Sequence, residues 1–89
     1  MKAVITVVGH DNKGIIAKVS AACAESGANI IDITQSVLDE YFAMIMIVDT
    51  SELNLAFTDF VHKMTKLGET NGLDVRTMHE SIFNSMHKI

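Results

Sequence analysis

Residues 2–27, KAVITVVGHDNKGIIAKVSAACAESG, change their pattern halfway along. Residues 2–8 are rich in Val, Ile and Thr, which predicts a β-strand. Residues 9–14 hold two glycines around Asp and Asn, a composition typical of a turn. From 14 to 26 the apolar residues recur at helical spacing, and Gly27 follows as a helix stop. The predicted buried stripe of this helix is Ile15 or Ile16, Val19, Ala22, Cys23 and Ser26.

The next part of the chain predicts a β-hairpin. Apolar and polar residues alternate over 28–38, and the short turn 39–40 makes antiparallel pairing with a strand over 41–48 the expected arrangement. Residues 42–48 are apolar on both faces, so the face without helices needs a cover, and we expect self-association. The alternating apolar residues of the strand over 28–38 are Ile31, Ile33 and Val37.

A polar stretch over 49–54 precedes a second predicted helix, with Lys63 and Lys66 in its last turn and Gly68 as its stop. Residues 73–79 predict a fourth strand, and the tail from residue 80 is expected to form one more helical piece. The apolar stripe of the second helix is Phe57, Phe60, Val61, Met64 and Leu67. The tail places Ile82, Phe83, Met86 and Ile89 at helical spacing, where they could cover the open face of the sheet.

The predicted order is βαββαβ, which gives an α+β, ferredoxin-like sandwich: a four-stranded antiparallel sheet with two helices on one face. With 89 residues and no linker, the chain is expected to be one domain over 1–89. The 48% hydrophobic content is that of a globular protein, and a core this small favours oligomerisation.

Charge and cysteine content exclude several classes. A formal net charge of -4, with scattered basic residues, argues against direct nucleic-acid binding. A single cysteine, Cys23, cannot form an intrachain disulfide and sits on a predicted core stripe, which suits a cytoplasmic protein. No stretch reaches the roughly 20 apolar residues of a membrane helix, so we expect no membrane contact. The apolar start stops at residue 9 without a cleavage site, which argues against a signal peptide.

Three other proteins of this shape fail on a missing residue. A metallochaperone needs paired thiolates in its first loop, and there is no Cys in residues 9–14. An RNA-recognition module needs aromatic residues on its central strands, and the first and fourth strands have none. An acylphosphatase-like enzyme needs an arginine beside the first loop, whereas the only arginine is Arg76 in the fourth strand.

The turn 9–15, GHDNKGI, followed one helix later by 27–30, GANI, resembles an ACT domain. The likeness is to small ACT proteins related to the glycine cleavage system transcriptional repressor, and it extends over the chain, including 39–42, DEYF. It implies a homodimeric, non-enzymatic regulatory domain that binds an amino acid or related metabolite between the first loop of one copy and strand 2 of another, and signals to a protein partner. The ligand residues carried over are Asp11, Asn12, Gly14, Ile15, Asn29 and Ile30.

The residues themselves fit such a ligand. Gly14 begins a helix whose free N–H groups favour a carboxylate, Asp11 offers an acceptor for an ammonium group, and the amides of Asn12 and Asn29 donate and accept. Two alternatives stay open. Asp11 and Asn12 could simply cap the helix, and the domain could be a ligand-free dimerisation or protein-interaction module.

No cofactor, metal site or catalytic residue is predicted. No serine lies in a nucleophile motif. No two histidines are spaced three or four apart on a helix, so we expect no metal ligands among them. His10 is expected to be a solvated loop residue, with contact to a ligand or pH sensing as the alternative. The four histidines are His10, His62, His79 and His87.

Overall fold

Seven elements follow one another in a computed structural model, which describes residues 1–10 and 14–86. The strands form one antiparallel sheet in the order β2-β3-β1-β4, so the predicted ferredoxin-like βαββαβ arrangement is confirmed. The predicted tail helix is present as α3. The elements are β1 (Lys2–Gly9), α1 (Ile15–Ser26), β2 (Asn29–Leu38), β3 (Tyr41–Asp49), α2 (Phe57–Thr70), β4 (Asp74–His79) and α3 (Glu80–Met86).

One hydrophobic core joins the helices to the sheet. Alternate residues of β1 and β3 point into it, and α1 contributes the predicted stripe with Ile15 rather than Ile16 in the buried place. Because α1 and α2 bury side chains in the same cluster, both helices lie on one face of the sheet. The largest fully buried side chains of this cluster are Phe42, Phe60, Ile5, Met44, Met46 and Met64.

The first helix ends as the sequence predicts. Gly27 has a φ of 80°, its N–H donates to the carbonyl of Ala24 at 3.2 Å, and the N–H of Ala28 donates to the carbonyl of Cys23 at 2.9 Å. These two bonds form a Schellman motif, which satisfies carbonyls that would otherwise lack partners. The motif turns the chain directly into β2.

The predicted end of the second helix is wrong. Gly68 lies inside α2, which continues to Thr70, and the glycine with left-handed backbone is Gly72, at φ 68°. The N–H of Leu73 donates to the carbonyl of Gly68 at 2.8 Å, again in a Schellman arrangement. Gly68 is instead needed for close packing of α2 against β4. A Cβ there would lie 2.7 Å from Cγ2 of Val75 and 2.8 Å from the carbonyl oxygen of Leu73, so only glycine lets α2 approach β4 this closely.

The longer helix also changes the place of two lysines. With α2 ending at Thr70, its last turn contains no basic residue. The prediction that Lys63 and Lys66 lie in the last turn is therefore wrong. They cannot have the favourable interaction with the helix dipole that the sequence suggests, since this effect is confined to the last turn.

The edge strand β2 is mostly exposed, and only Ile33 is half-buried against the core. Its register pairs Ile33 with Met46 and Val37 with Phe42, so the predicted alternation is right about the face these side chains share. Yet no residue of β2 is buried, and Val37 is 64% exposed. The register shifts between Ile30 and Asp32, which makes Ile31 an extra, unpaired residue of a β-bulge.

The opposite face of the sheet is partly covered by α3, which packs against β1 and β4. Val4 shows the effect, because it points away from the helix-covered face, between Ala3 and Ile5, and is nevertheless only 1% exposed. Ile82 and Met86 of α3 stay exposed, and Ile89 lies outside the described residues. The tail therefore covers the β1–β4 side of this face, while Ile45 of β3 stays open.

The close approach of α2 to β4 gives a test. Gly68→Ala should lower the free energy of unfolding by about 1–3 kcal/mol, because the added methyl group overlaps Val75 and the Leu73 carbonyl. Glu69→Ala, at the next and exposed position, should change it by less than about 0.5 kcal/mol. Urea unfolding measures both. A stabilised Gly68→Ala variant, as expected for an uncrowded helical glycine, would contradict the packing described.

Candidate functional site

The start of α1 is built on a glycine with left-handed backbone. Gly14 has a φ of 69°, and the first helical hydrogen bond runs from the N–H of Lys18 to its carbonyl at 3.0 Å. A Cβ on Gly14 would meet nothing within 4 Å, so the backbone conformation, rather than crowding, requires glycine here. Among the described residues, no side chain caps this helix and no acid lies in its first turn. The first N–H groups of α1 are therefore not neutralised by a described carboxylate.

The predicted ligand residues around this helix start have different places. The side chain of Ile15 is 4% exposed and packs in the core, so only its backbone faces outward. Asp11 and Asn12 lie outside the described residues, and their roles stay predictions. The alternative that they cap the helix equally stays a prediction.

The remaining two predicted residues lie where α1 passes into β2. Asn29 is exposed and pairs with Asp49, and Ile30, which is 37% exposed, pairs with Val48. Two contacts that the sequence analysis missed hold this junction. The side-chain amide of Asn54 donates to the carbonyl of Glu25 at 2.8 Å, and its backbone N–H donates to the carbonyl of Ser26 at 2.9 Å.

Within one chain, the first loop and Asn29 lie at opposite ends of the sheet. Gly9, where the loop begins, pairs with Phe42, which in turn pairs with Val37 near the end of β2. Asn29 pairs with Asp49 at the other end. The two levels are seven residue steps apart along β3, or about 23 Å at about 3.3 Å per residue. A single copy therefore keeps the end of β1, which leads into the first loop, far from Asn29.

An aromatic contact borders the first loop. The rings of His10 and Tyr41 lie edge to face with their centroids 4.7 Å apart. The register of β1 with β3 brings them together, because Gly9 pairs with Phe42. His10 is exposed, as expected of a loop histidine, but it has a ring partner that spacing along the sequence could not reveal. Only the register of β1 with β3 could have predicted this contact.

The single cysteine is a core residue, as predicted. Cys23 is fully buried, and this burial raises the pKa of its thiol to about 11. The ammonium group of Lys63 acts in the opposite direction but does not outweigh burial. The thiol is therefore protonated at neutral pH. Over residues 1–10 and 14–86, no three His, Cys, Asp or Glu side chains lie close enough together to hold a metal ion.

The order of elements and of strands defines the class of protein, a ferredoxin-like domain with one helix-covered face. A family model described as an ACT domain matches residues 2–78, and the chain belongs to the ACT domain family. ACT domains are typically regulatory rather than catalytic. They generally bind small molecules, amino acids above all, and dimerise. Within the described residues, no helix is long and apolar enough to cross a membrane.

Individual relatives agree with this assignment. A UPF0237 protein of Methanopyrus kandleri is 43% identical over 88 residues, which are 99% of this chain and 98% of that protein. The solved structure of an ACT domain protein from Streptococcus pneumoniae is 44% identical, with 98% of each chain covered and a TM-score of 0.82. A putative glycine cleavage system transcriptional repressor is 26% identical over 85% of this chain and 43% of its own, with a TM-score of 0.70. The resemblance to such repressors is thereby confirmed.

The buried thiol predicts a pH effect. In the unfolded chain Cys23 ionises near 9.0, but in the folded chain only near 11. Between these values the folded state holds more protons than the unfolded one, so the free energy of unfolding must fall as pH rises. We expect this fall in urea unfolding from pH 8 to 11. The fall should be smaller in Cys23→Ala, which lacks the buried thiol, and parallel curves for the two proteins would contradict the burial.

Proposed function

We propose that this chain is a regulatory sensor: a homodimer that binds an amino acid or a related small metabolite between its two copies and passes the signal to a protein partner. One copy supplies the first loop and the start of α1, and the other supplies the start of β2. We further propose a cytoplasmic location, which the single, buried Cys23 suits. The proposed ligand residues are Asp11, Asn12, Gly14 and Ile15 of one copy with Asn29 and Ile30 of the other.

The chemistry of the helix start supports an amino-acid ligand. The N–H groups at the start of α1 attract a carboxylate, and no described acid competes for them. Asp11, three residues before Gly14, supplies a carboxylate for the ammonium group. Because the side chain of Ile15 is buried, Ile15 takes part through its backbone N–H. An α-amino acid carries both of the charges that this arrangement accepts.

The observation that carries the proposal is the free edge of β2. Two β2 strands that pair antiparallel about a two-fold axis place the start of each beside the end of the other. Asn29 of one copy then lies at the end of the sheet where the other copy has its first loop. The same pairing satisfies the exposed backbone groups of the edge. It also covers apolar side chains that one copy leaves in water, namely Ile30, Ile31, Val37 and Leu38.

This free edge equally favours a second candidate function. β2 needs a partner strand whether or not a ligand binds, so a ligand-free dimerisation module would show the same surface. The two functions differ in one respect. Only the sensor gains stability from an amino acid, since a ligand that binds the folded state raises the melting temperature.

A thermal-shift panel of the proteinogenic amino acids separates the two. We expect at least one to raise the melting temperature of the parent, and Asp11→Ala and Asn29→Ala to abolish the shift without loss of fold. Glu69→Ala and Asn84→Ala remove an exposed charge and an exposed amide elsewhere and should respond like the parent. A panel without any shift would favour the dimerisation module. Unimpaired binding in both Asp11→Ala and Asn29→Ala would show that the site lies elsewhere.

The affinity has an upper bound. An amino acid as small as glycine has about 5 non-hydrogen atoms, so at about -1.5 kcal/mol per atom its binding free energy cannot exceed about -7.5 kcal/mol. We therefore expect a dissociation constant of a few micromolar or weaker by calorimetry. A low-nanomolar value for glycine would contradict this, and would indicate a larger natural ligand.

Ligand and dimer must also be linked. A ligand that bridges Asp11 of one copy and Asn29 of the other binds the dimer more tightly than the monomer, and by reciprocity it tightens the dimer by the same factor. Analytical ultracentrifugation with and without the amino acid from the panel measures this change. A dimer dissociation constant unchanged at saturating ligand would place the site within one copy. A monomer at every micromolar concentration would refute the dimer itself.

A further inference from the structure

A groove on the outer side of the helix layer has a composition that folding does not explain. It runs between α1 and α2 and has a volume of about 530 Å³, within the usual range of about 300–1,000 Å³ for small-molecule sites. Among the described residues, its lining comes from α1, α2 and Asn71, and none of it comes from β2. Its lining residues are Lys18, Ala21, Ala22, Glu25, Lys63, Lys66, Leu67, Thr70 and Asn71.

The charge of the groove is opposite to that of the chain. The protein has a formal net charge of -4, yet three of its seven basic residues line this one groove, facing a single glutamate. Among the described residues, none of the three lysines forms a salt bridge. Lys63 and Lys66 are three apart on α2, a spacing at which like charges repel. Nor does the helix dipole stabilise them, because α2 continues past them to Thr70.

Two of the amino groups are held in place by neutral partners. Nζ of Lys18 donates to the side-chain oxygen of Asn71 at 2.7 Å, across the groove. Nζ of Lys63, which is half-buried, donates to Oγ of Ser26 at 2.9 Å. Ser26 is fully buried and in turn donates to the carbonyl of Ala22 at 2.9 Å. Because these partners are neutral, the bonds orient the ammonium groups without pairing their charges.

We propose that this groove is a second ligand site, which binds a small organic anion with two or more negative charges. The lysines are point charges suited to phosphate or carboxylate groups. Ala21, Ala22 and Leu67 give the groove an apolar surface for the carbon part of the ligand. The site is separate from the proposed amino-acid site and would give the regulator a second input.

Pyrophosphate and citrate are suitable probes, titrated at constant ionic strength and followed by ¹H–¹⁵N NMR. We expect one or both to give saturable shift changes in amides of α1 and α2 around Ala21, Ala22 and Thr70. Lys18→Gln and Lys66→Gln, both at exposed positions, should each weaken binding about tenfold, the effect of losing one charge-assisted hydrogen bond. Lys2→Gln removes the same charge on β1 and should bind like the parent.

Three outcomes would overturn the site: no saturation of the parent by either anion, shift changes outside the groove, or a loss in Lys2→Gln as large as in Lys66→Gln. The last would show general attraction to charge. The amino-acid proposal is tested separately, since Lys66→Gln should keep the amino-acid thermal shift and Asp11→Ala should keep anion binding. Either proposal can therefore fail without the other.

Discussion

The packing of α1 and α2 against the buried side of β1 and β3 is the contact on which the rest of the structure depends. Met44 and Met46 of the central strand β3, with Phe60 of α2, are fully buried there. Two helices centred on these strands reach only Ile33 of β2 and leave the other residues of that strand exposed. The position of the helices thus leaves an edge strand with exposed apolar side chains, and the proposed dimer is the arrangement that covers them.

The same packing separates the parts of the proposed site. α1 starts near the end of β1 and leads the chain to the start of β2 at the other end of the sheet, so the end of β1 and Asn29 lie about 23 Å apart at about 3.3 Å per residue of strand. A partner copy is the simplest way to bring them together. α1 and α2 also run antiparallel with a groove between them, so one arrangement of two helices leaves both a shared edge and a basic groove.

Local pattern predicts most of the fold. Strands and helices follow from residue spacing, and Gly27 ends α1 because its place after the apolar stripe marks a helix stop. Gly68 is mistaken for a helix stop because glycine is used for close packing as well as for turns. Only its closeness to Val75 on β4, which the sequence pattern does not show, distinguishes the two uses. The alternation in β2 predicts that Ile33 and Val37 share one face of the sheet. It does not predict how exposed they are, because exposure depends on where the helices lie. The predicted ligand residues depend on a family resemblance, whereas the contact of His10 with Tyr41 depends on strand register.

The most direct test of this arrangement is amide hydrogen exchange along β2 at concentrations above and below the dimer dissociation constant. In one copy, the amides of β2 that point toward β3 are paired, and those that point away have no strand to pair with. If β2 joins two copies, the outward amides exchange slowly in the dimer and lose this protection on dilution, while the inward amides stay protected. Fast exchange of the outward amides at every concentration would contradict the shared edge.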